Sequence, residues 1–388
     1  MSEIVSSQPL PAVLVGGPPH SGKSVLIYSL SQALRARGVE HYALRACPDG
    51  EGDWSSEARP ELVKEIRIKG DWTARWVQWI SRDIQRRQKP LLVDVGGRPT
   101  AEQATMFGLC THAVLLTPDD AARAGWLALL AEQRLPILAD LRSDLAGRDR
   151  LDAAAPTIQG VLAGLERHSQ AQGPAFEALV DRLAQLFTVS GEDLRQRHLA
   201  SAPAEITVDL DRLARTLGVP LREQKPYWAP EHIPLLLDYL PAATPLAIYG
   251  RGVAWVIAAL ARLAHPARFF SFDVRLGWVE ARPLRIGSAD AASPVRFVVD
   301  RPHDALRVSA TLPEQYIDYD ELDQVSAPPA PAGVGVLLSG KLPLWLYASL
   351  ALTYQRAPWL AVYHPALDGS VVVYSVDPRR PVGCVLPD

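Results

Sequence analysis

The amino-acid sequence predicts an α/β protein in which a parallel sheet with helices on both faces precedes two tandem small α/β units. Apolar strand-like runs alternate with helix-forming runs through residues 1–200, which is typical of a parallel sheet. A strand–turn–helix–strand pattern then occurs twice, at an offset of about ninety residues, which indicates an internal duplication and a pseudo-dimer. We therefore expect three domains, at residues 1–200, 201–300 and 301–388.

The composition is that of a globular chain, since 48% of the 388 residues are hydrophobic and 21% are charged. The formal net charge of −3 offers no global attraction for duplex DNA or an anionic membrane, although local basic turns suit a small polyanion. The three cysteines, Cys47, Cys110 and Cys384, are too widely spaced to indicate a disulfide framework or a zinc site. No uncharged apolar run reaches about 18 residues, so we expect a cytoplasmic protein without a membrane partner.

A glycine-rich loop near the N-terminus has the pattern G-x-x-x-x-G-K-[ST], with Gly17, Gly22, Lys23 and Ser24 at the specified places. A buried-strand run over residues 12–15 precedes the loop, and a helix-forming run follows it. The glycines let backbone N–H groups curl around phosphate oxygens, Lys23 neutralises the outer phosphates and Ser24 ligates Mg²⁺. The pattern predicts a P-loop NTPase domain that binds ATP and Mg²⁺. The alternative is a strand–helix turn without a ligand.

Two acidic residues are candidates for holding a metal near this loop. Asp94 ends a second buried-strand run, which suits the Walker-B role of holding Mg²⁺, directly or through water. The alternative is that Asp94 only caps the next helix. Asp49 lies in the glycine-broken loop CPDGEGDW, which suits a metal or a phosphoryl acceptor. A solvated turn explains the same loop composition equally well.

The other elements of this half follow from the same alternation. Residues 113–117 and 136–139 are predicted to be further parallel strands, separated by helical stretches such as 121–133. From residue 160 to about residue 199 the pattern is helical and amphipathic. A short stretch around residues 200–204 is the predicted domain boundary.

The second half contains the duplicated pattern. A strand over residues 246–249 leads into the basic turn Gly250-Arg251-Gly252, and a helix and another strand follow. The second copy includes an acidic helix over residues 314–323, and its own strand–helix turn holds Gly340 and Lys341. Both turns are predicted ligand-binding sites, because a turn that leads into a helix N-terminus suits anions.

The second copy has the sequence GVLLSGKLPLWLYASLALTYQRAPWLAVYHPALDGSVVV. It resembles the Csx-three family of CRISPR-associated ring nucleases. That family usually has an SGRGPIWL turn followed by YxHTPFVAVYDPRLGAVVV. The resemblance covers residues 334–373 well and residues 245–277 more weakly. It implies binding and cleavage of cyclic tetra-adenylate, the second messenger of type III CRISPR immunity, and dependence on Mn²⁺. A two-fold pair of turns suits this ring of four phosphates. Family members fused to a P-loop ATPase (AAA-like) domain exist, which agrees with residues 1–200.

Carried over by position, the resemblance implies catalytic roles for His265, Asp273 and Arg275 in the first copy. The second copy has Arg356 in place of the histidine and has lost the catalytic set, so Arg356 is a ligand-binding candidate. One copy therefore keeps the chemistry of the family, and the other keeps its scaffold sequence.

These residue types suit cleavage of a phosphodiester by the adjacent ribose 2′-hydroxyl. His265 titrates near neutrality and accepts the hydroxyl proton, Arg275 stabilises the charge on the phosphorane, and Asp273 orients a histidine or recruits a metal. Eight extended residues span up to about 26 Å. We therefore expect that His265 and Asp273 of one copy do not touch, and that the site forms between copies of a homo-oligomer. The alternative for His265 alone is a helix cap or a surface residue.

Three functions are open on the sequence alone. The first is a ring nuclease that linearises cyclic tetra-adenylate and is regulated by an ATP-binding P-loop domain. The second is a cyclic oligoadenylate sensor that activates a P-loop ATPase or kinase without cleaving the messenger. The third is a P-loop kinase whose duplicated half only oligomerises.

Overall fold

The computed structural model describes residues 9–47, 73–97, 99–222, 225–288, 293–302, 304–314 and 316–387. The chain is a mixed α/β protein with several sheets, as the sequence predicts in outline. It divides into two compact units, Met1–Arg197 and His198–Asp388. No helix in the described part of the chain combines the length and the apolar content that crossing a membrane requires.

A seven-stranded sheet forms the centre of the first unit. Its strands are β1 (Ala12–Gly16), β2 (Tyr42–Arg45), β3 (Leu91–Asp94), β4 (His112–Thr117), β5 (Ile137–Asp144), β6 (Arg150–Ala153) and β7 (Ile158–Ala163). Their order across the sheet is β2-β3-β1-β4-β5-β7-β6. All neighbouring pairs are parallel except β6 with β7, which is antiparallel. The strands at the centre are short apolar runs because strands inside a parallel sheet are buried on both faces.

Helices connect these strands and cover the sheet. The helices described here are α1 (Lys23–Ala36), α2 (Ala74–Gln85), α3 (Ala101–Ala104), α4 (Asp120–Glu132), α5 (Pro174–Leu186) and α6 (Gly191–Ala200), and Phe107–Leu109 forms a 3₁₀ turn. Leu30 of α1 and Leu183 of α5 are fully buried in one core cluster with Val13 and Val15 of β1. Strand β1 is therefore held from one side by two helices that are about 150 residues apart in the chain.

Two predicted helical stretches are shorter in the structure than the sequence pattern indicates. Residues Ile158–Ala163 form strand β7, and the helical stretch predicted from residue 160 is confined to α5 and α6. Short apolar runs do not distinguish a buried strand from a buried helix, and pairing with β5 selects the strand here. The acidic helix predicted over residues 314–323 is replaced by a shorter 3₁₀ helix, Tyr319–Gln324, which starts at the capping box of Asp318 and Glu321.

The second unit contains two larger sheets and two short strand pairs. Its strands are β8 (Ile206–Asp209), β9 (Leu221–Arg222), β10 (Lys225–Pro226), β11 (Leu246–Tyr249), β12 (Phe269–Asp273), β13 (Gly277–Ala281), β14 (Arg285–Ile286), β15 (Arg296–Asp300), β16 (Ala305–Thr311), β17 (Ser326–Ala327), β18 (Gly335–Gly340), β19 (Trp359–His364), β20 (Gly369–Ser375) and β21 (Val385–Pro387). Its helices are α7 (Leu210–Thr216), α8 (His232–Tyr239), α9 (Ala254–Ala264) and α10 (Leu344–Thr353), with a 3₁₀ turn at Pro365–Leu367.

The two larger sheets have the same internal arrangement. The first has the order β13-β12-β11-β8, and the second contains the series β20-β19-β18-β16 between its edge strands β21 and β15. In each series the last three strands run parallel and the first is antiparallel to its neighbour. The matching order and directions support the internal duplication that the sequence pattern predicts.

Helices α9 and α10 pack against each other between the two sheets. α9 lies mainly against β19 and β20 of the second sheet, and α10 lies against β12 and β13 of the first. Each helix therefore covers the sheet of the other copy, and both copies share one hydrophobic core. Trp255 and Trp345 take the same position in the two helices, and each is only 1% exposed.

We expect Trp345→Ala to destabilise the second unit by about 3–5 kcal/mol, because it removes a fully buried aromatic side chain from this shared core. Urea unfolding monitored by circular dichroism measures the loss. Leu235→Ala is the matched control: Leu235 lies on α8 and is 52% exposed, so its loss should change the free energy of unfolding by no more than about 0.5 kcal/mol. Equal stability of the two variants would contradict the shared core.

Candidate functional site

The loop between β1 and α1 is tightly constrained at its two glycines. Gly17 has φ 150°, and a Cβ atom there would lie 2.0 Å from the carbonyl oxygen of Leu116. Gly22 has φ 86°, and a Cβ atom there would lie 2.6 Å from the Cβ atom of Leu165. Only glycine fits both the conformation and the space. The backbone can therefore curl closely at the start of α1.

Lys23 and Ser24 take places beside this loop that suit a phosphate and a divalent cation. Lys23 is 8% exposed, and its ammonium group donates to the carbonyls of Gly17 at 2.8 Å and Pro18 at 2.7 Å. The Ser24 hydroxyl lies 3.5 Å from Oδ2 of Asp94, because β3 pairs in register beside β1. A hydroxyl and a carboxylate oxygen that face each other are ligands that Mg²⁺ accepts.

Two further features of the loop bear on how a phosphate would fit there. The Ser21 hydroxyl is buried and has no hydrogen-bond partner among the described residues. The segment after β3 touches the loop, since a Cβ atom on Gly97 would lie 2.3 Å from the backbone nitrogen of Pro19. The described residues thus fit a nucleotide phosphate with Mg²⁺. Asp49, the third predicted metal ligand, lies outside the described residues.

In the second unit, the two predicted ligand-binding turns follow β11 and β18. Gly250 has φ 96° and Gly340 has φ 139°, and a Cβ atom on Gly340 would lie 2.0 Å from the carbonyl oxygen of Ala310. Arg251 and Lys341 are exposed. Among the described residues, no side chain caps the N-terminus of α9 or α10, and a helix start of this kind carries a partial positive charge.

Both turns lie on one side of the second unit. Arg275 follows β12, and its guanidinium lies 4.0 Å from the ring centroid of Tyr316, which follows β16. On the opposite side, His265 at the end of α9 is hydrogen-bonded to Gln355 just after α10. The two helices therefore start on one side and end on the other. We call the side with Gly250–Gly252, Gly340, Lys341, Asp273 and Arg275 the carboxyl edge, and the side with His265 the amino edge.

Asp273 and Arg275 are brought together at the carboxyl edge. Oδ1 of Asp273 accepts the backbone N–H groups of Arg275 at 2.8 Å and Leu276 at 3.1 Å. The carboxylate thereby shapes the turn that carries the guanidinium. Nη2 of Arg275 also donates to the carbonyl of Ile317 at 3.5 Å.

His265 lies apart from these two residues in the same chain. Strand β12 separates it from Asp273, and its five residues span about 13 Å. The pKa of His265 is lowered by burial and by the nearby Arg262 guanidinium, while the hydrogen bond with Gln355 acts in the opposite direction. The imidazole is therefore biased towards the neutral form, which is the form that accepts a proton.

The two turns have different neighbours. Beside the first turn, the Asp211 carboxylate accepts the backbone N–H of Arg251, and burial raises the pKa of this carboxyl. Asp209 also lies here: its Oδ1 would be 3.5 Å from a Cβ atom on Gly250. Oδ1 of Asp211 is buried and has no hydrogen-bond partner among the described residues. Two acids therefore stand beside the first basic turn.

The second turn has hydroxyl groups in the corresponding place. Asp209 pairs with Tyr249 across the first sheet, and Ser309 pairs with Ser339 across the second, one residue before the glycine in each case. The hydroxyls of Ser309 and Ser339 are 2.8 Å apart. The second turn can therefore accept an anion without the repulsion that the first one carries.

The sequence pattern did not point to Asp209, Asp211 or Ser309. Asp209 ends β8, Asp211 follows it, and Ser309 lies near the end of β16. Their signal in the sequence was a polar residue at the end of an apolar run. Arg356, predicted with the turn residues, follows α10 beside Gln355 and so lies at the amino edge. His364, at the end of β19, takes the place in the second copy that Asp273 takes in the first.

Comparison with known proteins identifies the C-terminal region. A family model described as CRISPR-associated protein (Cas_csx3) matches residues 310–387. Residues 310–387 are therefore similar to proteins of that description. An uncharacterized protein of Aquifex aeolicus (strain VF5) is 35% identical over 71 residues, which is 17% of this chain and 64% of that protein. The chain thus spans less than two thirds of the length of this relative.

The Cas_csx3 match contains some of the candidate residues and excludes others. It runs from the end of β16 to β21 and includes Gly340, Lys341 and Arg356. The residues predicted to be catalytic, His265, Asp273 and Arg275, lie before it, and so does the glycine-rich loop. The match therefore bears on the second turn and its surroundings.

We expect Lys23→Ala to weaken ATP binding about 10- to 100-fold, because it removes a charge-assisted hydrogen bond to the phosphates. Isothermal titration calorimetry with ATP and Mg²⁺ measures the change. Lys89→Ala is the control, because the Lys89 ammonium pairs with Glu40 at 2.6 Å and should leave the affinity unchanged. Full ATP affinity in Lys23→Ala would refute the assignment of the loop as a P-loop.

Proposed function

We propose that the protein binds and linearises cyclic tetra-adenylate, and that an ATP-binding P-loop domain regulates this activity. The observation that carries the proposal is the pair of basic turns on one edge of a unit whose C-terminal region matches Cas_csx3. The duplicated sheets support a pseudo-dimer, in which the two turns serve one ligand. A ring with repeating phosphates suits a surface with repeating anion-binding turns.

The carboxyl edge is the proposed binding surface for the ring. Arg251 and Lys341 supply two cationic side chains, and the starts of α9 and α10 add uncapped backbone N–H groups. Arg275 adds a guanidinium with a planar set of donors that suits phosphate. Asp211 and Asp209 reduce the positive potential around Arg251, so the second turn, beside Ser309, is the stronger of the two anion sites.

Cleavage in this proposal uses the 2′-hydroxyl of one ribose. His265 takes the proton from the hydroxyl, the 2′ oxygen forms a bond to the adjacent phosphorus, and the bond from phosphorus to the 5′ oxygen breaks. The leaving oxygen takes up a proton, and the products are a 2′,3′-cyclic phosphate and a free 5′-hydroxyl. Arg275 stabilises the charge on the phosphoryl oxygens.

His265 and Arg275 lie on opposite edges of one unit, so this chemistry requires two protein molecules. The proposed site forms where the amino edge of one protein molecule meets the carboxyl edge of a second molecule, across the bound ring. Such a contact joins two different surfaces and therefore repeats head to tail. A homo-oligomer follows from the proposal.

The first unit has the proposed role of controlling this assembly through ATP. Lys23 and the backbone of the loop would bind the phosphates, and Ser24 and Asp94 would hold Mg²⁺, which neutralises phosphate charge. The purpose of ATP in this proposal is to favour or release the contact between copies.

A second candidate function is a sensor that binds the messenger without cleaving it and switches the P-loop domain. The observation that favours it is the separation of His265 from Asp273 and Arg275 within one chain. Labelled cyclic tetra-adenylate, incubated with the protein with and without ATP and Mn²⁺, distinguishes the two functions. Linear products support the ring nuclease, and retention without products supports the sensor.

We expect His265→Ala to bind cyclic tetra-adenylate normally and to lose cleavage, because the histidine acts at the opposite edge from the binding turns. Binding is measured by calorimetry and cleavage by chromatography. Mixing His265→Ala with Arg275→Ala should restore about a quarter of the wild-type activity, since a random head-to-tail contact then pairs the two intact residues in one case of four. No restoration in the mixture would contradict a site shared between copies, and unchanged turnover in His265→Ala would remove the histidine from the reaction.

Asp211→Asn should strengthen binding of cyclic tetra-adenylate about fivefold, which corresponds to about 1 kcal/mol, because it removes a negative charge beside the first turn. Calorimetry at low salt measures the affinity. Asp238→Asn, an exposed acid of α8, makes the same change in net charge away from the turns and serves as control. Weaker binding in Asp211→Asn would show that the carboxylate supports the ligand.

A further inference from the structure

Arg262 is a half-buried cation at the amino edge. It lies on α9, one helical turn before His265, and its guanidinium stacks over the ring of Tyr374 on β20, 4.2 Å from the centroid. Its Nε and Nη1 atoms are buried and have no hydrogen-bond partner among the described residues. An arginine keeps its charge in proteins, so its donors need an anion or an acceptor.

The environment of Arg262 leaves two of its buried N–H donors without an acceptor among the described residues. Burial lowers the pKa of this arginine, and Tyr374, through its charge and a hydrogen bond, acts in the opposite direction. Stacking on an aromatic ring stabilises a cation, but it does not satisfy in-plane N–H donors. A buried charge that lacks a partner lowers the free energy of unfolding. A guanidinium in this state is suited to receive a ligand anion.

Arg268 provides a comparison within the same region. Its guanidinium lies 4.8 Å from the ring centroid of Phe270, and it also pairs with the Glu280 carboxylate at 2.8 Å through two nitrogens. Arg268 thus has both the aromatic contact and the counterion. Among the described residues Arg262 has the aromatic contact and the hydrogen bond with Tyr374, but no carboxylate counterion.

The groups that surround Arg262 are cationic or neutral. The Arg262 charge lowers the pKa of His265, and Gln355, which is hydrogen-bonded to His265, is followed in the chain by Arg356. Tyr374 forms the remaining contact. Within the described residues, no carboxylate acts on either His265 or Arg262. The amino edge therefore offers an anion the Arg262 guanidinium beside a proton acceptor, His265.

We propose that Arg262 binds the phosphate on which His265 acts, at a phosphate site of the amino edge that is distinct from the binding turns of the carboxyl edge. This site rests on the proposed function, because the phosphodiester reaches it from the carboxyl edge of a neighbouring copy. A rotamer change of the long Arg262 side chain presents Nε and Nη1 to two phosphoryl oxygens, which matches the bidentate geometry of guanidinium and phosphate. Arg262 of one protein molecule and Arg275 of the next molecule then bind the same phosphate from two sides.

The first test detects the phosphate site without catalysis. Full-length protein with isotope-labelled histidine is titrated with inorganic phosphate, and the His265 ring signals are assigned with His265→Gln. The His265 signals of the wild type should shift and saturate. They should not shift in Arg262→Met, and they should shift as in the wild type in Arg268→Met. Arg262→Lys should keep a weakened response, because lysine retains the charge but loses the planar fork.

A wild-type protein whose His265 signals ignore phosphate would overturn the site, and so would an unchanged response in Arg262→Met. Thermal unfolding of each variant checks that it is folded. Arg262→Lys keeps the test decisive if Arg262→Met does not fold, since a response equal to the wild type would then overturn the bidentate contact.

The second test connects the site with the reaction. Arg262→Met should lower kcat for cleavage of cyclic tetra-adenylate about 100-fold with little change in binding to the carboxyl edge. Cleavage at the wild-type rate in Arg262→Met would overturn the role of Arg262 in the reaction. If the wild type does not cleave the ring at all, the proposed function fails, whereas the phosphate titration still decides whether the amino edge binds phosphate.

Discussion

The packing of α9 against α10 determines how the second unit is built. Each helix is apolar on nearly all of its surface, because one face meets the other helix and the remaining faces meet sheets of both copies. Trp255 and Trp345 are buried at the same position near the two helix starts. Since this contact aligns the helices, the turns that precede them come to the same side, although about ninety residues separate them in the chain.

The same alignment separates the charged residues into two groups. Arg251, Lys341 and Arg275 lie where the parallel strands end, and Arg262, His265 and Arg356 lie where the helices end. One unit therefore has a cationic surface on each of two opposite sides. In the proposed assembly a polyanion lies between two protein molecules, because each side of the ligand then faces a different set of cations. This is the physical reason that the proposed chemistry and the proposed assembly depend on each other.

The first unit depends on close approach of backbone segments. Gly17 and Gly22 allow the loop to pass next to Leu116 and Leu165, and Gly97 allows the segment after β3 to touch the loop. The parallel pairing of β1 with β3 places Asp94 beside Ser24. A short motif and a strand end that are about 70 residues apart thus form one arrangement, which suits a nucleotide phosphate with its cation.

The two similar turns have different surroundings. Asp209 and Asp211 stand beside Gly250, whereas Ser309 and Ser339 stand beside Gly340. The strand order and the positions of the tryptophans are shared, because both copies contribute to one core. The polar residues beside the turns do not belong to this hydrophobic core, so their charges differ between the copies.

The sequence by itself determined the features that depend on local pattern: the glycine-rich loop, the strand Leu246–Tyr249, the helix after Gly252 and the repeat of this pattern around Gly340. These follow from nearby residues, since apolar periodicity and glycine conformation act over a few positions. Three features required the folded structure: the strand Ile158–Ala163, the contact of Asp211 with Arg251, and the two buried nitrogens of Arg262 that have no hydrogen-bond partner among the described residues. Each of these features depends on which distant segments pack together. Strand pairing and helix packing across the whole unit determine this, and no short stretch of sequence contains the information.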